Sequence, residues 1–332
     1  MSIVNTFSLQ SNRQIKINFD GGDLSSDAGL LLIKEFISKL GIERLLNRSF
    51  KTNDSAVFRY HTDRDNLLQM IYMIMAGYFE DDASDELTKD PIFFNRMDED
   101  TLKQFQEISQ ILRKRIYSIQ MPQAVILDLD STLLVAYGKQ EGRAFNFHYR
   151  SNGYHPLVCY AGITGDLIKI QLRDGAAYSC TGVTNFLQPI LDEYLNDYPT
   201  IHLLLRGDSG FATPDLYKQC EENGTSYVIR LMENFIKESK SGFDSSAVSS
   251  HNRIVNANRV QVHALAYNIF NWFRRLVLSA KMRKQRIDTV RLKLLKIATK
   301  VVHSARYITF KLCSSCPYGK CFKDILNTLY SN

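Results

Sequence analysis

Two short apolar segments, each ending in acidic residues, constrain the fold of this chain more than any other feature. The first is AVILDLD at residues 124–130, and the second is IHLLLRGD at residues 201–208. Apolar runs of this length are typical of buried strands, whose carboxyl ends present side chains at a ligand-binding edge of a sheet. Hairpin-like and helix-like patterns lie around them. We therefore predict an α/β fold with a mixed sheet and helices on both of its faces.

The patterns divide the chain into three regions. We expect residues 1–118 to be mainly helical, residues 119–280 to form the α/β core, and residues 281–332 to form a basic helical end. In the last region, apolar residues at helical spacing predict one buried helix face. The members of this stripe are Ile287, Val290, Leu294, Ile297 and Val301.

Charge is distributed unevenly along the chain. Residues 251–332 contain 16 Lys and Arg but 2 Asp and Glu, whereas the first 250 residues contain 25 and 33. The net charge of the whole chain is +6. A neutral-to-acidic body with a basic final quarter favours a polyanionic partner, with nucleic acid ahead of acidic lipid.

No segment has the features of a targeting or membrane-spanning sequence. The start of the chain lacks a basic stretch followed by an apolar one, and the apolar run at residues 67–78 is too short to cross a bilayer. The 6 Cys show no regular framework, which suits a reducing compartment. We therefore expect a cytoplasmic protein with no membrane partner.

The acids at the strand ends are candidates for catalysis. Asp128, Asp130 and Asp208 end the two apolar segments. Carboxylates from neighbouring strands can share a pair of divalent metal ions, which stabilise the attacking and leaving oxygens of a phosphoryl transfer. Glu233, near the start of a predicted helix after the last strand of the core, is the candidate for a third acid.

Basic residues near the third acid and in the final quarter are candidates for contacts with DNA phosphates. Such contacts raise affinity uniformly across DNA sequences. The candidates are Lys237, Lys240, Arg274, Arg275, Arg283, Lys284 and Arg286.

The first acidic segment also fits a different enzyme class. Residues 125–132 (VILDLDST) match the hhhhDxDxT motif of haloacid-dehalogenase-like phosphatases, with Asp128 as nucleophile and Asp130 as general acid or base. We rank this interpretation second. The motif lies late in the chain, no Lys is well placed, and a phosphatase has no need of the basic final quarter.

Short blocks along nearly the whole chain carry a family resemblance. They are FDGGDLSSDAG at 19–29, AGYFED at 76–81, LDLDST at 127–132, YGKQEG at 137–142, YHPL at 154–157, RGDSGF at 206–211, NRV at 258–260 and ALAYN at 264–268. In this order they resemble a bacterial DDE transposase, specifically one of the insertion-sequence 1380 family.

The resemblance implies an RNase H-like core and cut-and-paste strand transfer with two divalent ions, Mg²⁺ or Mn²⁺. It implies Asp130 as the first metal ligand, because the family places a Thr two residues later, as at Thr132. Asp128 is the alternative first ligand, and Asp208 and Glu233 are the second and third. The implied partner is double-stranded DNA with terminal inverted repeats, bound partly by the helical first region. Self-association on DNA and a location at the bacterial nucleoid are also implied.

The chain departs from the family around its last acid. Related transposases carry the signature Tyr-x-x-Arg-x-x-x-Glu-x6-Lys, which Tyr227, Arg230, Glu233 and Lys240 nearly match, but two residues separate Arg230 from Glu233. Asp208 and Glu233 are separated by 24 residues, where the family has a β-rich insertion. We infer an internal deletion. The chain is then either a shortened active transposase or a catalytically dead remnant that binds DNA.

A cysteine cluster near the end of the chain is a weaker signal. Cys313, Cys316 and Cys321, with His303 upstream, suggest a zinc site. Structural zinc sites require two well-spaced ligand pairs, so reduced thiols are the simpler interpretation.

Overall fold

The computed structural model describes residues 6–20, 26–54, 59–78, 94, 96–229 and 250–331. Its helices are α1 (Leu30–Lys39), α2 (Ile42–Ser49), α3 (Asp63–Ala76), α4 (Glu99–Ile119), α5 (Val183–Asp197), α6 (Pro214–Glu222), α7 (Arg253–Val277), α8 (Ala280–Arg283), α9 (Ile287–Val290) and α10 (Gly319–Ser331). Its strands are β1 (Phe7–Ser8), β2 (Ile15–Asn18), β3 (Ala124–Ser131), β4 (Leu134–Val135), β5 (Ala144–Asn146), β6 (Ser151–Tyr154), β7 (Leu157–Ala161), β8 (Leu167–Gln171), β9 (His202–Gly207), β10 (Ser226–Ile229), β11 (Thr299–His303) and β12 (Ile308–Leu312).

Five strands form the central sheet in the order β10-β9-β3-β7-β8. Strands β3, β9 and β10 are parallel, whereas β7 is antiparallel to both β3 and β8. Every residue of β7 is buried. Because successive side chains of a strand point to opposite faces, both faces of the sheet are covered there. This arrangement confirms the predicted RNase H-like mixed sheet.

Helix α7 packs across the edge strand of this sheet and joins it to the helical first region. The side chain of Asn268 both accepts a hydrogen bond from the backbone nitrogen of Leu167 and donates one to its carbonyl, each at 2.8 Å. Asn258, nearer the start of α7, donates to the carbonyl of Asp98, which caps α4. These two amides therefore connect α7 to β8 and to the start of α4.

A small sheet with the order β4-β6-β5 lies directly after β3 in the chain. Strand β6 pairs antiparallel with both neighbours, and Gly153 on β6 faces Val135 and Ala144. A Cβ on Gly153 would lie 2.1 Å from the carbonyl oxygen of Leu134, so glycine allows the strands to approach. This small sheet therefore extends the fold next to the end of β3.

The two ends of the chain share a third sheet. Its order is β1-β2-β12-β11, with β2 parallel to β12 and the other pairs antiparallel. The predicted helical character of the first and last regions is thus incomplete, because both also contribute strands. The domain boundaries at 118/119 and 280/281 stay predictions.

The apolar stripe of the last region does not form one helix. Ile287, Val290, Leu294 and Ile297 are buried as predicted, but the helical turns end at Leu295. Val301 lies on β11 and is exposed. The expectation of a continuous helix was wrong because pairing of β11 with β12 overrides the helical spacing between Ile297 and Val301.

Residues preceding α1 fix the first region to the last. The backbone nitrogens of Ala28 and Gly29 donate to the carbonyls of Ile297 and Leu295 at 3.0 and 3.1 Å. A Cβ on Gly29 would lie 1.7 Å from the carbonyl oxygen of Leu294, so no side chain fits there.

Within the described residues, no helix is long and apolar enough to cross a bilayer.

Candidate active site

Asp130 and Asp208 lie at the same edge of the central sheet. In the parallel pairing of β3 with β9, Asp128 stands opposite Arg206, and Asp130 and Asp208 each follow two residues later. Adjacent strands are about 4.8 Å apart, so the two acids belong to one locality. Asp130 is partly buried on β3, and Asp208 is exposed just beyond β9.

The turn after β9 holds Asp208 in place. Its Oδ1 accepts a hydrogen bond from the backbone nitrogen of Gly210 at 2.8 Å, which caps the short helical turn Ser209–Phe211. A Cβ on Gly210 would lie 3.0 Å from that oxygen, closer than nearly all real contacts. The sequence Gly-Asp-Ser-Gly thus forms a turn that holds the carboxylate of Asp208 at the edge of the sheet.

Asp128 is engaged in an ion pair with Arg206. The pair is bidentate, with Nε–Oδ1 and Nη2–Oδ2 distances both 2.6 Å. The hydrogen bonds from Arg206 to Asp128 raise the pKa of the guanidinium further. Gly162 makes room for the pair, because a Cβ there would lie 2.4 Å from Oδ2 of Asp128. Asp128 is therefore neutralised by the neighbouring strand.

Ser131 connects the end of β3 to two surrounding elements. Its hydroxyl lies 2.9 Å from that of Ser179, in the loop of residues 174–182 that we name the site loop. Its carbonyl accepts a hydrogen bond from the hydroxyl of Tyr149 at 3.3 Å, from the turn between β5 and β6. Both elements therefore contact the residue that directly follows Asp130.

Two buried residues hold the site loop. Arg173 donates from Nη1 to the carbonyls of Tyr178, Ser179 and Thr181 at 3.1, 3.1 and 2.7 Å. Burial lowers the pKa of Arg173 to about 10. His155 bonds through Nδ1 to the carbonyl of Ala177 at 2.7 Å. The loop is therefore fixed by one side chain just after β8 and one between β6 and β7.

The basic candidates of the final quarter differ in their environments. Arg275 forms an ion pair with the buried Asp166 at 3.0 Å, and Arg274 donates to the side chain of Asn271 at 2.9 Å. Both are partly buried. The other candidates are exposed around the end of α8: Arg283, Lys284 and Arg286.

Several predicted residues lie outside the described part of the chain. These are Arg230, Glu233, Lys237 and Lys240. Within the described ranges, no three His, Cys, Asp or Glu residues are arranged to hold a metal ion.

The cysteine cluster does not form the suggested zinc site. Cys313, Cys316, Cys321 and His303 are all described, and they form no such group. The sulfur of Cys321 instead lies 3.2 Å from that of Met282. The sequence spacing therefore does not bring these side chains together.

Sequence reasoning did not find the partners of the acids. Asp128 lies two residues before Asp130, and Arg206 lies two residues before Asp208. Residues two apart on a strand share a face of the sheet, so Asp128 and Arg206 lie on the same face when the two strands pair. That spacing could have revealed the ion pair. No sequence pattern indicated the contact of Ser179 with Ser131, because Ser179 lies on a loop without a regular pattern.

The site and the fold together define a class of protein. A mixed RNase H-like sheet with carboxylates at the ends of its central parallel strands is the framework expected of a transposase core. A family model described as "Transposase DDE domain group 1" matches residues 7–99, 93–234 and 231–331. The chain therefore belongs to this family of DDE-domain transposases.

Solved transposase structures are similar at low sequence identity. A piggyBac transposase synaptic complex with hairpin DNA has a TM-score of 0.35 and 13% identity, over 80% of each chain. The catalytic domain of the Mos1 mariner transposase has a TM-score of 0.26 and 9% identity, over 57% of this chain and 97% of that one. A pre-cleavage Mos1 transpososome has a TM-score of 0.22 and 11% identity, over 73% and 86%. Comparison with curated protein sequences gives no match.

Proposed function

We propose that this chain is a transposase that cleaves and joins DNA strands at the ends of an insertion sequence. The observation that carries the proposal is the position of Asp130 and Asp208, two residues beyond a matched pair on the adjacent parallel strands β3 and β9. Together with membership of the DDE-domain family, it supports these two residues as the first and second catalytic acids.

The ion pair of Asp128 supports Asp130 as the first metal ligand. Both oxygens of Asp128 accept hydrogen bonds from Arg206. A carboxylate so compensated is a poorer cation ligand than one at the open end of the strand. Asp128 then acts by holding β3 against β9.

The donor chemistry of the site fits divalent cations. Carboxylate oxygens are the hard ligands that Mg²⁺ prefers, and Asp130 and Asp208 present them at one edge. We propose that Glu233 supplies the third carboxylate. Two Mg²⁺ or Mn²⁺ ions bound there would supply activation of water, or of a DNA 3′-hydroxyl, for in-line attack on phosphorus.

An internal deletion after β10 remains part of the proposal, as does a place in the insertion-sequence 1380 family. Two matched segments of the family model, 93–234 and 231–331, meet at residues 231–234. This junction includes Glu233, which ends the short interval that begins at Asp208. Tyr227 lies on β10 with its ring stacked on Tyr217, 5.1 Å between centroids, so it acts as a strand residue. The loss of the insertion removes its DNA contacts without removing any strand of the central sheet.

The proposed partner is double-stranded DNA with terminal inverted repeats, in the bacterial cytoplasm at the nucleoid. The exposed cations Arg283, Lys284 and Arg286 follow the long helix α7, which packs against the catalytic sheet. Phosphate contacts from such residues position DNA independently of its sequence. We propose that two copies of the chain assemble on the two DNA ends.

The test is metal-dependent nicking of DNA that carries the flanks of this gene. Wild type is compared with Asp130→Asn, Asp208→Asn and Glu233→Gln, with Mg²⁺, with Mn²⁺ and with chelator. The matched control is Asp215→Asn, an exposed acid in the first turn of α6. We expect cleavage by wild type and the control alone.

Binding of the flanks without cleavage by wild type would contradict the enzyme and support the dead remnant. Turnover of small phosphate esters without salt-dependent DNA binding would support the phosphatase alternative, in which Asp128 is the nucleophile.

A further inference from the structure

Exposed aromatic rings lie on the β5–β6 turn and on the site loop, the two elements that contact Ser131. Phe147 and Tyr178 are 86% and 79% exposed, and Phe145 and Tyr149 are also exposed. We name these four residues the aromatic platform. Large aromatic side chains are usually buried, so several exposed rings in one locality indicate a binding surface.

The platform is attached to the active-site edge at two points. The hydroxyl of Tyr149 donates to the carbonyl of Ser131, and Tyr178 precedes Ser179, whose hydroxyl meets that of Ser131. Ser131 directly follows Asp130. The β5–β6 turn and the site loop therefore both contact the residue that follows Asp130 at the end of β3.

The backbone beneath the rings is held rigidly. Asn146 is buried, and its Oδ1 accepts hydrogen bonds from the backbone nitrogens of His148 and Tyr149 at 3.1 and 3.2 Å. Its Nδ2 donates to the carbonyl of Gly175 in the site loop at 2.9 Å. The two carriers of the platform are thus one unit, and ordering the exposed rings on ligand binding requires little backbone rearrangement.

Gly175 brings the two carriers into direct contact. A Cβ on Gly175 would lie 2.2 Å from the carbonyl oxygen of Gly153 and 2.4 Å from that of Ala144. The ring of Phe145 meets that of Phe147 edge to face at 5.2 Å between centroids. Ring edges and faces are therefore presented to solvent from a close-packed base.

The charges around the platform suit a polyanion. Residues 131–150 contain three cations, Lys139, Arg143 and Arg150, against one acid, Glu141. Lys139 and Arg150 are exposed. Exposed rings among cations form the arrangement that binds single-stranded nucleic acid, in which bases stack on the rings and cations follow the phosphates.

We propose that the aromatic platform binds unpaired DNA bases next to the phosphate that Asp130 and Asp208 act on. This inference rests on the proposed function, because it places the unpaired segment at a DNA end undergoing cleavage. Stacking tolerates any base, so the platform contributes affinity for single-stranded character and not for sequence. We favour DNA over a protein partner, because a protein could bind to the rings alone and would not require the surrounding cations.

The test compares a blunt duplex with the same duplex carrying a short single-stranded 3′ overhang, by fluorescence anisotropy without divalent metal. We expect wild type to bind the overhang more tightly. Phe147→Ala and Tyr178→Ala should each weaken overhang binding roughly 5- to 150-fold, the range for loss of one stacked base, and leave blunt-duplex binding unchanged.

Two variants serve as controls. Phe147→Tyr keeps a ring and should bind like wild type, and Tyr60→Ala removes a 91% exposed ring in the first region and should have no effect. A 2-aminopurine in the overhang should be quenched by wild type and by Phe147→Tyr, but less by Phe147→Ala. Thermal unfolding of each variant identifies any that fail to fold.

Equal binding of both DNAs by wild type, or overhang binding unaffected by either alanine variant, would overturn the inference. If wild type still nicks DNA in the separate cleavage assay, that result leaves the proposed function standing. Failure of both nicking and DNA binding would overturn the two together.

Discussion

The carboxylate of Asp128 and the guanidinium of Arg206 meet through two hydrogen bonds of 2.6 Å across the adjacent strands β3 and β9. The side chain of Asp128 is 20% exposed and that of Arg206 is 36% exposed. The pair therefore lies between the weak ion pairs of a protein surface and the strongly coupled pairs of an interior. It holds together the two strands whose ends carry the candidate acids Asp130 and Asp208.

Replacing Arg206 by Gln should destabilise the protein by about 1–2 kcal/mol, because Asp128 loses its compensating charge in a partly shielded place. The measurement is urea unfolding followed by circular dichroism. The double variant Asp128→Asn/Arg206→Gln should recover most of the loss, since no unpaired charge is left. Equal stabilities of the single and double variants would show that the pair does not couple the strands.

Replacing Arg275 by Gln should lower stability by about 3 kcal/mol, because it leaves the carboxylate of Asp166 buried without its cation. Asp166 is buried, which raises its pKa, and Arg275 and Asn271 are among its partners. Thermal and urea unfolding measure the loss. The double variant Asp166→Asn/Arg275→Gln is the control that removes both charges.

Replacing Arg286 by Gln should instead weaken DNA binding without changing the unfolding temperature, because Arg286 is exposed. A plot of log affinity against log salt concentration should lose about one unit of slope, as expected for one phosphate contact. An unchanged slope for Arg286→Gln would remove this residue from the DNA-binding surface.

Acidification should destabilise the site loop through His155. Burial lowers the pKa of His155, although its bond to the carbonyl of Ala177 opposes the shift. Below about pH 6.5, the ordinary pKa of histidine, the unfolded chain therefore binds more protons than the native one. The stabilisation is complete above that pH and is lost as the pH falls toward the native pKa.

The measurement for His155 is the urea midpoint at pH 7.5 and at pH 5.0. The difference between the two should be smaller in His155→Gln than in wild type, since glutamine does not titrate. The exposed His202→Gln variant is the control and should keep the wild-type difference. A wild-type difference retained in His155→Gln would refute the assignment.

Replacing Gly29 by Ala should destabilise the protein by about 2–3 kcal/mol or more, because the new methyl overlaps the backbone at Leu294 and Leu295. The control is Gly138→Ala, whose surroundings are open but whose φ is +69°, which disfavours a side chain by about 1 kcal/mol. Unfolding in urea compares them. Equal losses would mean that the contact between α1 and the last region readily opens.

Much of the central sheet could be predicted from the sequence, because its strands are short apolar runs with turn signals between them. Strands β3 and β9 lie where the two apolar segments placed them. Their acids were found for the same reason, since Asp130 and Asp208 follow such runs directly.

The sheet shared by the chain ends could not be predicted in this way. Strand β2 has only four residues and β12 five, and neither is strongly apolar. Pairing between segments so far apart leaves no periodic trace in either of them. The site loop could not be predicted from the sequence either, because its geometry depends on Arg173 and His155, which lie outside it.

The pairing of β2 with β12 also sets an order of events during synthesis. The hairpin of β1 and β2 leaves the ribosome almost three hundred residues before β12 is made. Until then, the edge of β2 is open to pairing with other chains, a known route to aggregation. Contacts between such distant segments also form slowly. A chain truncated shortly before residue 308 would therefore have a complete central sheet and, at β2, an exposed strand edge that can pair with other chains.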